Sequence, residues 1–328
     1  MSVSAAAGFA FCPGRGMKAA MTNRPVSDPI HPAAAGAAPL PSRPAGLREL
    51  APRYDGFILD LWRVLHDGER PLPGVVDSLE RLSAGGKRVV ILSNAPRRAA
   101  ETIARLTVIG IRPGLYDHVV TSGEDAWTHL AARADPFYAA LGRACLHLGP
   151  ERDGGMLAGL DVVPVATAQE ADFILNTGTL GWEEDIADYE MLLRAAAARR
   201  LPMVCANPDL VVRSADRLAV CAGMLAERYE ALGGTVRWHG KPRREIYETC
   251  FGLLGIAGRR RILAIGDSLR TDIAGANGAG IDSVLIAGGI HAEEFGLRPD
   301  GTLDEARLAG AIAAAGSLPT WLLPGLVW

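Results

Sequence analysis

The chain has 328 residues, more than one hydrophobic core usually serves, so a large domain carrying an insertion is expected. A formal net charge of −3 offers no basic surface to nucleic acid, and no apolar run reaches the ~18 residues of a membrane helix. Five scattered cysteines without a CxxC pair argue against a secreted disulfide framework, and seven histidines without metal-site spacing read as packing or surface residues. A cytoplasmic protein is expected. The opening run MSVSAAAGFAFC mimics a short signal core but lacks a positively charged start.

Residues 22–45 are rich in Pro, Ala and Ser without apolar periodicity, and residues 1–45 are expected to form a disordered tail. Gly56 to Asp60 is a short apolar run ending in a carboxylate and reads as a buried parallel strand. A helix is predicted over 73–84, a second strand over Arg88 to Leu92, and a helix over 97–109. Val119-Val120 begins a third strand, and Glu124 to Arg133 fits another helix. The middle repeats the alternation, with strands at 144–148, 173–175 and 203–206 and a long helix over 183–199. The last third adds a helix over 244–254 and strands at 261–265 and 283–286. The reading is an α/β protein: a Rossmann-like, doubly wound parallel-sheet core interrupted by an inserted α/β cap domain. The expected divisions are the tail 1–45, core 46–127, cap 128–218 and core again 219–328.

Ligands of open parallel sheets sit outside the carboxyl ends of the strands. Four polar sets fall there: Asp60, then Ser93 and Asn94, then Lys241 in Gly240-Lys241-Pro242, then Asp267 with Asp272 five residues on. A strand-end carboxylate can attack phosphorus and form an acyl phosphate. A hydroxyl and an amide can donate to phosphoryl oxygens, and a lysine can offset their charge. A second carboxylate can share a Mg²⁺ ion with the first. Singly these groups have plainer readings: a strand-end Asp is often a helix cap, and Gly-Lys-Pro is a turn. Their order and shared placement are more specific.

Taken together, Asp60-Leu61-Trp62-Arg63-Val64, Leu92-Ser93-Asn94, Gly240-Lys241-Pro242 and Gly266-Asp267 with Asp272 resemble the four motifs of the haloacid-dehalogenase superfamily. The insertion between the second and third resembles subclass IIA, the NagD-like phosphatases with a C2-type cap. Cys205-Ala206-Asn207-Pro208-Asp209 resembles a segment of that subclass near the return from cap to core. His66-Asp67-Gly68 resembles a bacterial branch of it. The resemblance covers the chain from near Leu47 to its end. It implies a Mg²⁺-dependent phosphatase with Asp60 as nucleophile and metal ligand, the Trp62 backbone carbonyl and Asp267 as further ligands, and Asp272 beside them. It gives Ser93 and Asn94 the phosphoryl group, and Lys241 the charge of the aspartyl phosphate.

Two positions depart from that pattern. The superfamily's phosphatases usually carry an acid/base Asp two residues after the nucleophile, where this chain has Trp62. Indole does no proton transfer near neutral pH, so a deficit of about 10²–10⁴-fold is expected. The next position, commonly Gly, is Arg63, whose side chain either clashes with the loop or meets an anionic substrate. His66 and Asp67 are the candidates to replace the lost acid. Three functions follow: hydrolysis of a small phosphorylated metabolite, a phosphate-ligand-binding protein with weak or no turnover, or a non-phosphate hydrolase such as a dehalogenase. Trp127, Trp182 and Trp238 read as packing, with Trp182 also a candidate for the substrate entrance. Arg97 and Arg98 read either as a solvated helix start or as phosphate contacts. The apolar run from Trp321 to Trp328 is expected to fold back on the core, a homodimer contact being the alternative.

Overall fold

The computed structural model of the protein describes residues 40–214 and 217–328, and side chains outside 213–218. Two parallel sheets organise them. The larger has six strands, ordered Trp321–Leu323, Asp282–Ile286, Ile262–Gly266, Gly56–Leu59, Arg88–Ser93, His118–Thr121. Every pairing is parallel. Parallel strands covered on both faces need apolar side chains throughout, and Gly56–Leu59 and Ile262–Gly266 are buried at every position. One face packs Leu59, Leu79, Ile91 and Leu106; the other packs Ile58, Val90, Tyr247 and Leu254. From Gly56–Leu59 the chain first proceeds to one side, then returns to the other at Ile262–Gly266. The direction of winding therefore reverses between these two neighbours, which opens a crevice at their carboxyl ends.

The smaller sheet has five parallel strands, ordered Thr235–Trp238, Pro202–Cys205, Phe173–Asn176, Ala144–Leu148, Val163–Val165. The predicted return to the core at residue 219 comes too early. Thr235–Trp238 pairs with Pro202–Cys205, and Leu225, Ala226 and Tyr229 of the helix before it are buried on the same sheet. The chain leaves this sheet only after Trp238. The strand was missed because Thr-Val-Arg-Trp carries polar residues on an edge, with no continuous apolar run. An antiparallel hairpin, Val211–Ser214 with Arg217–Val220, was also missed.

Local signals account for the predicted helices. Thr121 caps Ser122–Ala132 by accepting Glu124 N–H. Asp185 and Asp188 form a capping box on Ile186–Ala198. Arg244–Leu254 ends at Gly255, whose φ of 64° is the left-handed value a helix C-terminus favours. The predicted tail lies mostly outside the described residues, and its end is structured. Leu322 N–H donates to Ser42 O at 2.9 Å, and Arg43 pairs with Glu305 at 3.2 Å. The C-terminal run folds back as expected: Trp321–Leu323 joins the larger sheet, and Leu326 is buried.

Candidate active site

The crevice between the two central strands receives Asp60, Ser93, Asn94, Lys241, Asp267 and Asp272. Asp60 follows Gly56–Leu59 and Asp267 follows Ile262–Gly266. A π-helical turn, Leu269–Ile273, then brings Asp272 back toward them, with Ser268 Oγ accepting Thr271 N–H at its start. Gly266 permits this return, because a Cβ there would fall 2.1 Å from Asp272 Cγ. Lys241 enters from the loop after Thr235–Trp238. Gly240 before it has a φ of 93°, and a Cβ there would meet Asn94 Oδ1 at 2.5 Å.

Lys241 Nζ donates to Asp60 Oδ1 at 2.5 Å and to Asp272 Oδ1 at 2.7 Å. Asp60, Lys241, Asp267 and Asp272 are each 9% exposed or less. Burial opposes the lysine's charge, yet Asp272 and Asp60 push its pKa well above the ordinary value. Burial raises the Asp60 carboxyl to about 7, against the pull of Lys241. Burial, then Asp60 and Asp272, drive Asp267 well above the carboxylate range.

One lysine cannot balance three buried carboxylates. Oxygens of Asp60, Asp267 and Asp272 lie within 4.8 Å of one another, a spacing that fits a divalent cation held by hard oxygen ligands. Asp272 has both oxygens engaged, Oδ1 by Lys241 and Oδ2 by Ser268 N–H at 3.1 Å. Asp267 Oδ2 accepts Ile290 N–H at 2.7 Å. Asp272 thus bridges Lys241 and the Ser268 backbone, while Asp60 accepts from Lys241 and Asp267 from Ile290 N–H.

Ser93 and Asn94 reach the same cleft. The Asn94 amide is largely committed: Oδ1 accepts Lys241 N–H at 2.8 Å, and Nδ2 donates to Asp209 Oδ1 at 2.8 Å and Lys241 O at 3.3 Å. That side chain positions Lys241, which leaves the Ser93 hydroxyl as the more open group of the pair.

Trp62 lines the cleft, with its ring edge-on to His66 at 5.6 Å. Its Nε1–H is buried without a hydrogen-bond partner. Arg63 adopts a φ of 62°, a conformation that costs a side-chain-bearing residue about 1–2 kcal/mol relative to glycine. Arg63 does not line the cleft, so contact with an anionic substrate has no support. Asp67 does not line it either, because its carboxylate accepts Glu69 and Arg70 N–H at 3.0 Å each. His66 does line it, but burial lowers its pKa to about 4, and Nδ1 accepts Gly68 N–H at 2.9 Å.

The cleft measures about 570 Å³, the size of a pocket for a metabolite-sized ligand. Its far wall comes from the smaller sheet's loops and the Val211–Ser214 hairpin. Arg152 lies 4.7 Å over the Trp182 ring, which is 51% exposed, so Trp182 stands at the entrance. Arg97 Nε reaches Asp153 Oδ1 at 3.2 Å, tying the second motif's helix start to the smaller unit. Arg98 instead pairs with Glu124 at 2.7 Å and covers Trp127 at 3.6 Å, and Trp238 Nε1–H donates to Glu230 at 3.0 Å. Asp153 and Asp209 both line the cleft and were not assigned from sequence. Only Asp209 had a signal, its place in the Asn207-Pro208-Asp209 segment.

Two family models match the chain: haloacid dehalogenase-like hydrolase over residues 57–162, and HAD-hydrolase-like over 238–307. A hydrolase of the haloacid dehalogenase-like family from Brucella suis superposes with a TM-score of 0.73 at 35% identity, covering 88% of this chain and 100% of that one. The chain belongs to this haloacid dehalogenase-like family. Among the family's members it is NagD-like, of subclass IIA. The D-glycerol 3-phosphate phosphatase of Mycobacterium tuberculosis is 29% identical over 249 residues, 75% of this chain and 66% of that protein's length. A glycerol phosphate phosphatase from the same organism, solved with magnesium, has a TM-score of 0.58 at 25% identity, over 84% of this chain and 77% of that one. The two family-model matches contain Asp60, Ser93, Asn94, Lys241, Asp267 and Asp272. Among the described residues of this haloacid dehalogenase-like hydrolase, no helix is long and apolar enough to cross a membrane.

Proposed function

We propose that the protein hydrolyses a small phosphate monoester through an aspartyl phosphate on Asp60. The observation that carries this reading is Lys241 joining Asp60 to Asp272, with Asp267 beside them, at the point where the sheet's winding reverses. Folding alone does not favour such a set, since taking each charge out of water costs several kcal/mol that pairing must then offset. An Asp60 oxygen attacks phosphorus while the bond to the leaving oxygen breaks. Lys241 and the Ser93 hydroxyl offset charge on the phosphoryl oxygens. Water then attacks phosphorus and returns Asp60 as carboxylate. Asp60, Asp267 and the Trp62 backbone carbonyl would hold Mg²⁺, with Asp272 behind them, and the ion would supply positive charge to the phosphoryl group. Residues 46–127 and 239–328 form the catalytic core in this reading, and 128–238 the cap that selects the substrate.

Trp62 favours a second reading, a phosphate-binding protein without useful turnover. Phosphate release over a panel of phosphorylated metabolites, with and without Mg²⁺, separates the two. Metal-dependent release that Asp60→Asn abolishes is expected. Binding of panel members without release supports the second reading, and metal-independent hydrolysis of a non-phosphate ester or halide supports a dehalogenase-like enzyme.

A further inference from the structure

Position 62 offers no transferable proton, and most carboxylates in the cleft already have a partner. Asp60 and Asp272 share Lys241. Asp267 accepts Ile290 N–H, and Asp153 is paired with Arg97. Asp209 lines the same cleft, and its carboxyl accepts from the neutral Asn94 amide rather than from a cation. Its place is nevertheless well defined. Asp209 N–H donates to Asn207 Oδ1 at 3.0 Å, and Gly223 N–H donates to Asp209 O at 3.1 Å. Asn94 Nδ2 donates to the carboxyl Oδ1 at 2.8 Å, while Oδ1 of the same Asn94 fixes Lys241 N–H at 2.8 Å. One planar amide thus sets Asp209 relative to the lysine that holds the nucleophile. Burial raises the Asp209 carboxyl above its ordinary range, against Lys241 and the Asn94 bond, so it keeps its proton more readily than a solvated aspartate.

We infer that Asp209 performs the proton transfers that a carboxylate at position 62 would otherwise supply. This rests on the phosphohydrolase reading above. In the first step a bond forms between an Asp60 oxygen and phosphorus, the bond from phosphorus to the leaving oxygen breaks, and the Asp209 proton passes to that oxygen, which departs as the alcohol. In the second, the Asp209 carboxylate takes a proton from water as the water oxygen bonds to phosphorus. The bond from phosphorus to Asp60 breaks, inorganic phosphate leaves, and both aspartates return to their starting states.

Asp209→Asn separates this role from a structural one, because the new amide still accepts from Asn94 Nδ2 but has no acidic proton. Phenyl phosphate and 4-nitrophenyl phosphate differ in how much their leaving oxygen needs protonation. Asp209→Asn should lower kcat/KM on phenyl phosphate by about 10²-fold or more, and on 4-nitrophenyl phosphate by less than about 5-fold. It should also produce a burst of 4-nitrophenolate, as the aspartyl phosphate accumulates for want of a base. Asp209→Ala should fall further on both substrates, because Asn94 loses its acceptor. Equal losses on the two substrates in Asp209→Asn, or no loss, overturn the inference and leave Asp209 a support for Asn94. If wild type hydrolyses neither substrate, or Asp60→Asn stays active, the phosphohydrolase reading falls and this inference with it.

Discussion

The floor and the far wall of the cleft are built on opposite physical terms. On the floor, Asp60, Lys241, Asp267 and Asp272 are buried, and each holds or is held by a neighbouring group. On the wall, Arg152 and Trp182 are exposed, and the guanidinium rests on the ring. Unpairing a buried charge costs several kcal/mol, whereas an exposed contact costs little to change. The floor can therefore hold one chemistry fixed while the wall varies to suit a leaving group.

The largest expected effect comes from removing the cation of the floor. Lys241→Met leaves three buried carboxylates without it, so urea unfolding near neutral pH should show a loss of about 3–5 kcal/mol, with turnover below detection. A loss under about 1 kcal/mol would mean the floor is more solvated than its burial indicates. Next comes the missing acid. Trp62→Asp with Arg63→Gly restores a carboxylate and relaxes the left-handed turn. It should raise turnover of a poor-leaving alkyl phosphate only a few-fold where Asp209 is intact, and by about 10²-fold in an Asp209→Asn background. A gain of about 10²-fold with Asp209 intact would mean that Asp209 does not supply the proton.

The wall should respond more weakly. Trp182→Ala removes the plate under Arg152, and KM should rise about 5- to 10-fold with kcat within about 2-fold. A large fall in kcat would place Trp182 with the floor and erase the distinction. The pH response is the smallest effect and belongs to the floor alone. The folded protein keeps protons on Asp60 and Asp267 at pH values where the unfolded chain has released them. Their contribution is present at low pH and is lost as pH rises toward about 7, the value to which Asp60 is raised. The metal-free Tm should therefore fall by several degrees between about pH 5 and pH 8, and excess Mg²⁺ should flatten that slope. An unchanged slope with Mg²⁺ would argue against a cation between the carboxylates.

Much of the fold could be read locally. Continuous apolar runs such as Phe57-Ile58-Leu59 and Val89 to Leu92 identify buried parallel strands, because strands covered on both faces admit little else. Asp60, Lys241 and Asp267 could be picked out because each follows or precedes a regular element at the place where such sheets open. Edge elements were not legible in the same way. Thr235–Trp238 and the Val211–Ser214 hairpin carry mixed residues, since an edge or a ribbon buries only part of its surface. The boundary near residue 219 was misplaced for that reason.

The sequence by itself determined the alternation of strand and helix, the large apolar core and the identity of the charged groups at the strand ends. Those follow from short-range rules of periodicity, capping and burial. Only the tertiary structure decided how these groups share partners. It gave Lys241 to Asp60 and Asp272 together, turned the Asn94 amide to Lys241 and Asp209, and drew Asp67 away from the cleft. Pairings of this kind join residues as far apart in the chain as Asp60 and Lys241. Their energies depend on burial and distance in the folded protein, which no local pattern encodes.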